Sequence, residues 1–136
     1  MERIIDVINH IIINTYLYIV LFNEISIYPI LLWLVVDLDY FIGKHRVTFH
    51  NVFYLFFISM VFSIIYSKTL LYTPKFFAIL LSHIIFDFLF GGVCFLYKLC
   101  AKGGIKYDYL SLEIISLAIN LFILSMVLSF YIDKLF

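Results

Sequence analysis

The chain has 136 residues, of which 65% are hydrophobic and only 13% are charged, and its formal net charge is zero. Soluble domains are about 45–50% apolar and about 25% charged, so this composition excludes an ordinary soluble domain and indicates an integral membrane protein. The lysines and arginines form no dense patch, which argues against nucleic acid as a partner. We therefore expect one integral membrane domain over residues 1–136, surrounded by the lipid bilayer.

Five apolar segments can be recognised from their length and flanking residues. They cover approximately residues 4–22, 25–36, 52–66, 76–97 and 110–132. A helix needs about 20 apolar residues to cross the hydrocarbon core, and the first, fourth and fifth segments reach that length. The third reaches it only with its polar flanks, and Pro29 and Asp37 limit the second to a short span or a re-entrant piece. The pattern predicts an all-α, polytopic membrane helix bundle with four to five transmembrane segments.

The positive charges on the short connections predict the orientation of this bundle. If all five segments cross, one side carries six of the nine basic residues, which are Arg3, Lys44, Arg46, Lys98, Lys102 and Lys106. Cytoplasmic loops are enriched in lysine and arginine. We therefore expect a multi-pass protein of the cell membrane with its N-terminus in the cytoplasm.

Side chains that can bind metals are concentrated in three motifs and one isolated position. These are Asp37-Leu-Asp39, His45-Arg46-(x)3-His50, His83-(x)3-Asp87 and His10. Ionisable groups inside a bilayer are costly unless they are paired, and a bound cation is one way of pairing them. In the predicted topology all of them lie in the cytoplasmic half of one bundle, so we expect them to meet there.

The spacing and the residue types of these motifs indicate a metal site. His83 and Asp87 are four residues apart, so on a helix they face the same side about one turn apart, a spacing that lets two residues grip one ion. Mixed histidine and carboxylate ligands predict a divalent metal, zinc in the first place, with manganese and iron as alternatives. The ligands outnumber those of one tetrahedral ion. Two metals, or one metal with additional orienting and acid/base groups, both fit.

Three residues are candidates for catalytic roles. Arg46 suits an anionic group such as phosphate, because its guanidinium can make bidentate contacts. A phosphoester or a phospholipid headgroup is therefore the expected substrate class. Asp39 or Asp87 is the expected general base for water. Elsewhere, Asn9, Asn14 and Asn120 are expected to make hydrogen bonds between helices.

The order of the motifs resembles the YdjM-like family, described as LexA-binding, inner-membrane-associated, metal-dependent hydrolases. The family pattern is close to PDxDH, HRGxTHS and HLxxD followed by glycine, whereas this chain reads VDLDY, HRVTFHN and HIIFD with two glycines behind. The resemblance covers roughly residues 10–92, and His10 is similar in position to a histidine near the N-terminus of the family. Val36, Tyr40 and Val47 depart from the pattern, and Tyr40 removes one ligand. The resemblance implies a membrane-embedded hydrolase that acts near the cytoplasmic face.

Other interpretations of the same residues remain open. A non-catalytic small membrane subunit of a larger assembly, with membrane proteins as partners, would hold a structural or degenerate metal site, and Tyr40 fits this alternative. A proton or ion pathway would use the same groups, but it would need polar residues continuing to the external side, where the chain offers few. Without any metal, His83 and Asp87 would form a hydrogen-bonded pair between helices, and the loop motifs would form surface ion pairs.

Overall fold

The computed structural model describes residues 2–40, 51–90, 93–96, 99–101 and 109–133. Five α-helices lie in these ranges, α1 (Glu2–Phe22), α2 (Tyr28–Val36), α3 (Val52–Ser67), α4 (Thr73–Phe90) and α5 (Tyr109–Asp133). A 3-10 helix, Asp37–Tyr40, continues α2. Two short antiparallel strands, β1 (Val93–Leu96) and β2 (Leu99–Ala101), place Val93 opposite Ala101. The predicted helical character of the fold is confirmed over the described residues.

Two helix boundaries differ from the prediction. The fourth apolar segment was expected to continue to residue 97, but α4 ends at Phe90 and residues 93–96 form a strand. Two glycines follow Phe90 in the sequence, and glycine disfavours continuation of a helix even where the flanking residues are apolar. The second segment forms only the 9 residues of α2, which begin next to Pro29. At 1.5 Å per residue α2 is about 14 Å long, well short of the hydrocarbon core.

Aromatic contacts show how the helices run relative to one another. Tyr18 and Phe22 near the end of α1 pack against Phe76 near the start of α4. His10, near the start of α1, stacks instead on His83, which lies further along α4. Helices α1 and α4 are therefore antiparallel, with α2 packed against both and α3 packed against α4. The fully buried core between them contains Tyr18, Leu32, Leu55, Phe76, Ile79, Leu80 and Ile84.

Helix α5 packs against α1 in the same direction. Near the start of α1, the amide nitrogen of Asn120 donates a 3.0 Å hydrogen bond to Oδ1 of Asn9. Near the end of α1, an apolar groove of about 430 Å³ separates Ile19 and Asn23 from Met126 and Tyr131. Residue numbers therefore rise in the same direction along the contacting faces of α1 and α5. The two helices are parallel.

Among the residues that the structure describes, two helices are long and apolar enough to cross a membrane, over Ile4–Phe22 and Ile114–Asp133. Core helices of soluble proteins can share this length and composition. In this chain, however, only 6% of the apolar window of α5 is buried. Large apolar side chains such as Phe122 and Phe130 are 65% and 71% exposed along it. Exposure of this extent fits a helix that faces lipid.

Candidate metal centre

The antiparallel packing of α1 and α4 places two histidines face to face. The imidazole rings of His10 and His83 stack with their centroids 4.0 Å apart and their planes inclined by 18°. Phe86 meets the His10 ring edge-on at 5.0 Å. The exposed fractions of His10 and His83 are 2% and 0%, so both rings lie inside the bundle.

Asp87 connects the two histidines. Its Oδ1 is 3.5 Å from Nε2 of His10, and its Oδ2 is 3.5 Å from Nε2 of His83. His83 and Asp87 are four residues apart on α4, and the sequence predicted that this spacing places them on one face of a helix. One ligand atom from each of His10, His83 and Asp87 lies within 4.8 Å of the others, and all three side chains are buried.

Asp37 reaches the same cluster from the end of α2. Its Oδ1 is 3.5 Å from Nε2 of His83. Burial alone would raise the pKa of the Asp37 carboxyl, but the hydrogen bond and charge of His83, together with the charge of His10, hold that pKa below its ordinary value. The ionised carboxylate of Asp37 is therefore favoured when positive charge, on a histidine or on a bound cation, lies beside it.

Asp6 is a member of the cluster that the sequence analysis missed. Its Oδ1 lies 3.5 Å from Nδ1 of His10, one helical turn away on α1. A signal for it was present, because Asp6 and His10 have the same spacing of four residues as His83 and Asp87.

The distances in the cluster fit atoms that share a metal ion. Two ligand atoms about 2.1 Å from one ion, separated by a tetrahedral angle, lie about 3.4 Å apart. The two distances between histidine nitrogens and Asp87 oxygens are both 3.5 Å. His10, His83 and Asp87 therefore have the spacing and the chemistry of a metal-binding group.

The charge of the cluster also favours a cation. The carboxylates of Asp6, Asp37 and Asp87 surround two imidazoles whose centroids are 4.0 Å apart. Protonation of both rings would place two like charges at that separation in a buried site, which is unfavourable. A divalent ion provides the positive charge without protonating both histidines, and it suits the nitrogen and oxygen donors present.

The structure brings together four of the seven predicted metal-binding residues, which are His10, Asp37, His83 and Asp87. Asp39 belongs to the 3-10 helix, but its side chain lies outside the described part of the chain. His45, Arg46 and His50 also lie outside the described residues. The predicted roles of these residues therefore remain predictions.

The chain matches no protein-family model, no curated protein and no solved structure. Its resemblance to the YdjM-like family thus remains a hypothesis based on three short motifs.

Proposed function

We propose that the chain is a membrane-embedded, metal-dependent hydrolase that acts on a phosphoester or a lipid-derived substrate near the cytoplasmic face. The observation that carries this proposal is the buried group of His10, His83 and Asp87, whose ligand atoms lie within 4.8 Å of one another. Catalytic zinc sites use three protein ligands of these types and keep a further position open for water or substrate. Structural zinc sites are usually closed by four protein ligands, often thiolates.

Each side chain of the cluster has a separate task in this proposal. His10 and His83 provide neutral nitrogen donors, and Asp87 provides one or both of its oxygens. A bound divalent metal supplies Lewis acidity toward a phosphoryl or carbonyl oxygen and toward water. Asp37 borders the site at Nε2 of His83, where it can accept a hydrogen bond from a bound group. Because Asp87 faces both histidines, a ligand role suits it better than the role of general base.

Two residues whose side chains lie outside the described part of the chain complete the proposed mechanism. Asp39 follows Asp37 by two positions in the sequence and remains the candidate general base. Arg46 remains the candidate for holding the substrate anion. Zinc is the proposed metal, with manganese or iron as alternatives, because histidine and carboxylate donors suit all three.

We further propose that the bundle crosses the membrane four or five times, with the N-terminus in the cytoplasm. The parallel packing of α1 and α5 supports more than two crossings. If both helices cross in the same direction, the chain between them has to return through the membrane an odd number of times, which favours five crossings over four. Helix α3 also carries exposed apolar side chains, including Phe53 and Phe57 at 73% and 61%, as expected for contact with lipid.

The hydrolase proposal is tested by turnover of phosphodiester and phospholipid probes by the purified chain in detergent micelles, loaded with Zn²⁺. We expect hydrolysis by the unmodified protein and a loss of at least about 100-fold for His83→Ala, because removal of a ligand disrupts the site. The control is Ile85→Ala, which shortens a side chain on the same helix that is 49% exposed. Equal turnover by His83→Ala and the unmodified protein would contradict a catalytic role for the cluster.

One observation favours a second function. Helix α5 buries only 6% of its apolar window in the bundle, so most of its surface is available to another membrane protein. The chain would then be a non-catalytic subunit of a larger assembly, in which the metal has a structural role. This alternative predicts that the chain binds metal without hydrolysing any of the probes.

A further inference from the structure

Asp6 contacts the metal centre from the side of His10 that does not face Asp87. Oδ1 of Asp6 is 3.5 Å from Nδ1 of His10, whereas the nitrogen directed at Asp87 is Nε2. His10 therefore has one carboxylate beside each of its two ring nitrogens. The carboxylate of Asp87 also lies 3.5 Å from His83.

A neutral imidazole carries its proton on one nitrogen and a lone pair on the other. The partner of the first nitrogen decides which of the two binds a metal. A carboxylate beside Nδ1 accepts the N–H there, so the proton stays on Nδ1 and the lone pair of Nε2 points to the metal. Histidines that bind metals commonly donate their second N–H to a carboxylate, which also increases their strength as ligands.

The backbone of α1 keeps this arrangement in place. Asp6 and His10 lie four residues apart within one uninterrupted helix, Glu2–Phe22, so their offset is set by helical geometry. The side chain of Asp6 is 18% exposed and that of His10 is 2% exposed. The carboxylate of Asp6 therefore lies at the edge of the cluster, where water reduces the cost of its charge, while the histidine is inside.

We propose that Asp6 is a positioning residue of the metal centre, which keeps the proton of His10 on Nδ1 and so directs Nε2 toward Asp87 and the metal. This inference rests on the proposed metal centre but not on hydrolysis. It assigns to Asp6 an effect on how tightly the metal binds, and it leaves His10, His83 and Asp87 as the residues that touch the ion.

The test is the Zn²⁺ affinity of the purified full chain in detergent micelles, measured by competition with a chelator. We expect Asp6→Asn to weaken Zn²⁺ binding about 10–100-fold with unchanged stoichiometry, the usual effect of removing such a partner. Asp6→Glu keeps a carboxylate and is expected to recover part of the affinity. The control is Asp133→Asn, the same substitution at an exposed position near the end of α5, which is expected to bind Zn²⁺ like the unmodified protein.

Two additional readouts separate positioning from a general structural role. The unfolding temperature of the metal-free chain is expected to change little in Asp6→Asn, because a partly exposed helical pair contributes little stability. With Co²⁺ in place of Zn²⁺, the visible absorption bands are expected to keep their shape, because the ligand atoms are the same. A metal-free unfolding temperature that falls together with the affinity would overturn the positioning role.

The outcomes also distinguish this inference from the proposed hydrolase. Unchanged Zn²⁺ affinity in Asp6→Asn overturns the inference and leaves the metal centre intact. If the unmodified chain binds no Zn²⁺, both the inference and the metal centre are wrong. If affinity falls as expected and no probe is hydrolysed, the inference stands and only the hydrolase function fails.

Discussion

At the scale of single residues, helix α1 contains two buried asparagines that differ in their hydrogen bonding. Asn9 accepts the hydrogen bond of Asn120, as the sequence predicted. Asn14 is 0% exposed, yet neither its amide nitrogen nor its oxygen has a hydrogen-bond partner among the residues that the structure describes, so the prediction for Asn14 was wrong. A sequence shows that an amide lies in an apolar segment, but whether a second polar group faces it depends on packing.

The situation of Asn14 leads to a prediction about stability. A buried polar group without a partner costs about 1–3 kcal/mol, and leucine has the same branched shape and number of side-chain heavy atoms without polar atoms. We therefore expect Asn14→Leu to stabilise the chain by about 1 kcal/mol in reversible unfolding from detergent micelles. Asn9→Leu is the matched control and should destabilise the chain, because it removes the acceptor that Asn120 uses on α1. A loss of stability in Asn14→Leu would show that the Asn14 amide is bonded in the folded protein.

At the scale of helices, the apolar runs of the sequence predicted where the helices lie. They did not predict all of the residues at which the helices end. The first, third and fifth runs correspond closely to α1, α3 and α5. The fourth apolar run continues past Phe90, although the helix ends there, because the strand that follows is also apolar. Length and hydropathy cannot separate a helix from an adjoining apolar strand, and the glycine pair was the only local signal of the boundary.

The contact between α1 and α5 depends in part on polar groups. The amide nitrogen of Asn120 lies 3.0 Å from Oδ1 of Asn9 and 3.2 Å from Oγ of Ser116. Such bonds between membrane helices contribute about 0.6 kcal/mol on average. Asn120 is buried, whereas neighbours such as Ile119 and Leu121 are about half exposed. The asparagine pair therefore defines which face of α5 meets the bundle.

This dependence can be measured with a double-mutant cycle in micelles. Asn9→Leu and Asn120→Leu should each destabilise the chain, and the double variant should lose less than the sum by about 0.6 kcal/mol. Asn9→Leu combined with Ser129→Ala, an exposed position on α5, should be additive. Additivity in the asparagine pair as well would mean that the bond contributes nothing to the packing of α5.

At the scale of the whole molecule, the two ends of the bundle have different chemistry. One end contains an aromatic cluster in which Tyr18, Phe22 and Phe76 pack together. The ionisable groups there have local partners, since Lys75 donates a 2.7 Å hydrogen bond to the carbonyl oxygen of Leu21 and Tyr18 donates to Glu24. The other end contains the histidines and aspartates, which come from three helical elements far apart in the sequence.

Part of the candidate metal-binding cluster could be predicted from the sequence. The pairing of His83 with Asp87 follows from helical spacing, and the approach of His10 and Asp37 follows from threading the segments in alternating directions. The stacking of the two imidazoles and the bridging position of Asp87 could not be predicted, because they depend on the offset between α1 and α4. That offset is set by packing of the apolar side chains around Phe76 and Ile84.

The metal content of the purified chain tests the central claim most directly. Elemental analysis of protein purified in detergent without added chelator is expected to find about one divalent ion per chain or more, because a closely spaced group of two histidines and one carboxylate is sufficient for binding. The variant His83→Ala with Asp87→Ala should lose the ion. The matched variant Ile85→Ala with Leu89→Ala, at half-exposed positions on the same helix, should keep it. Substoichiometric metal in the unmodified chain after dialysis against Zn²⁺, or equal metal in the two double variants, would contradict the metal centre.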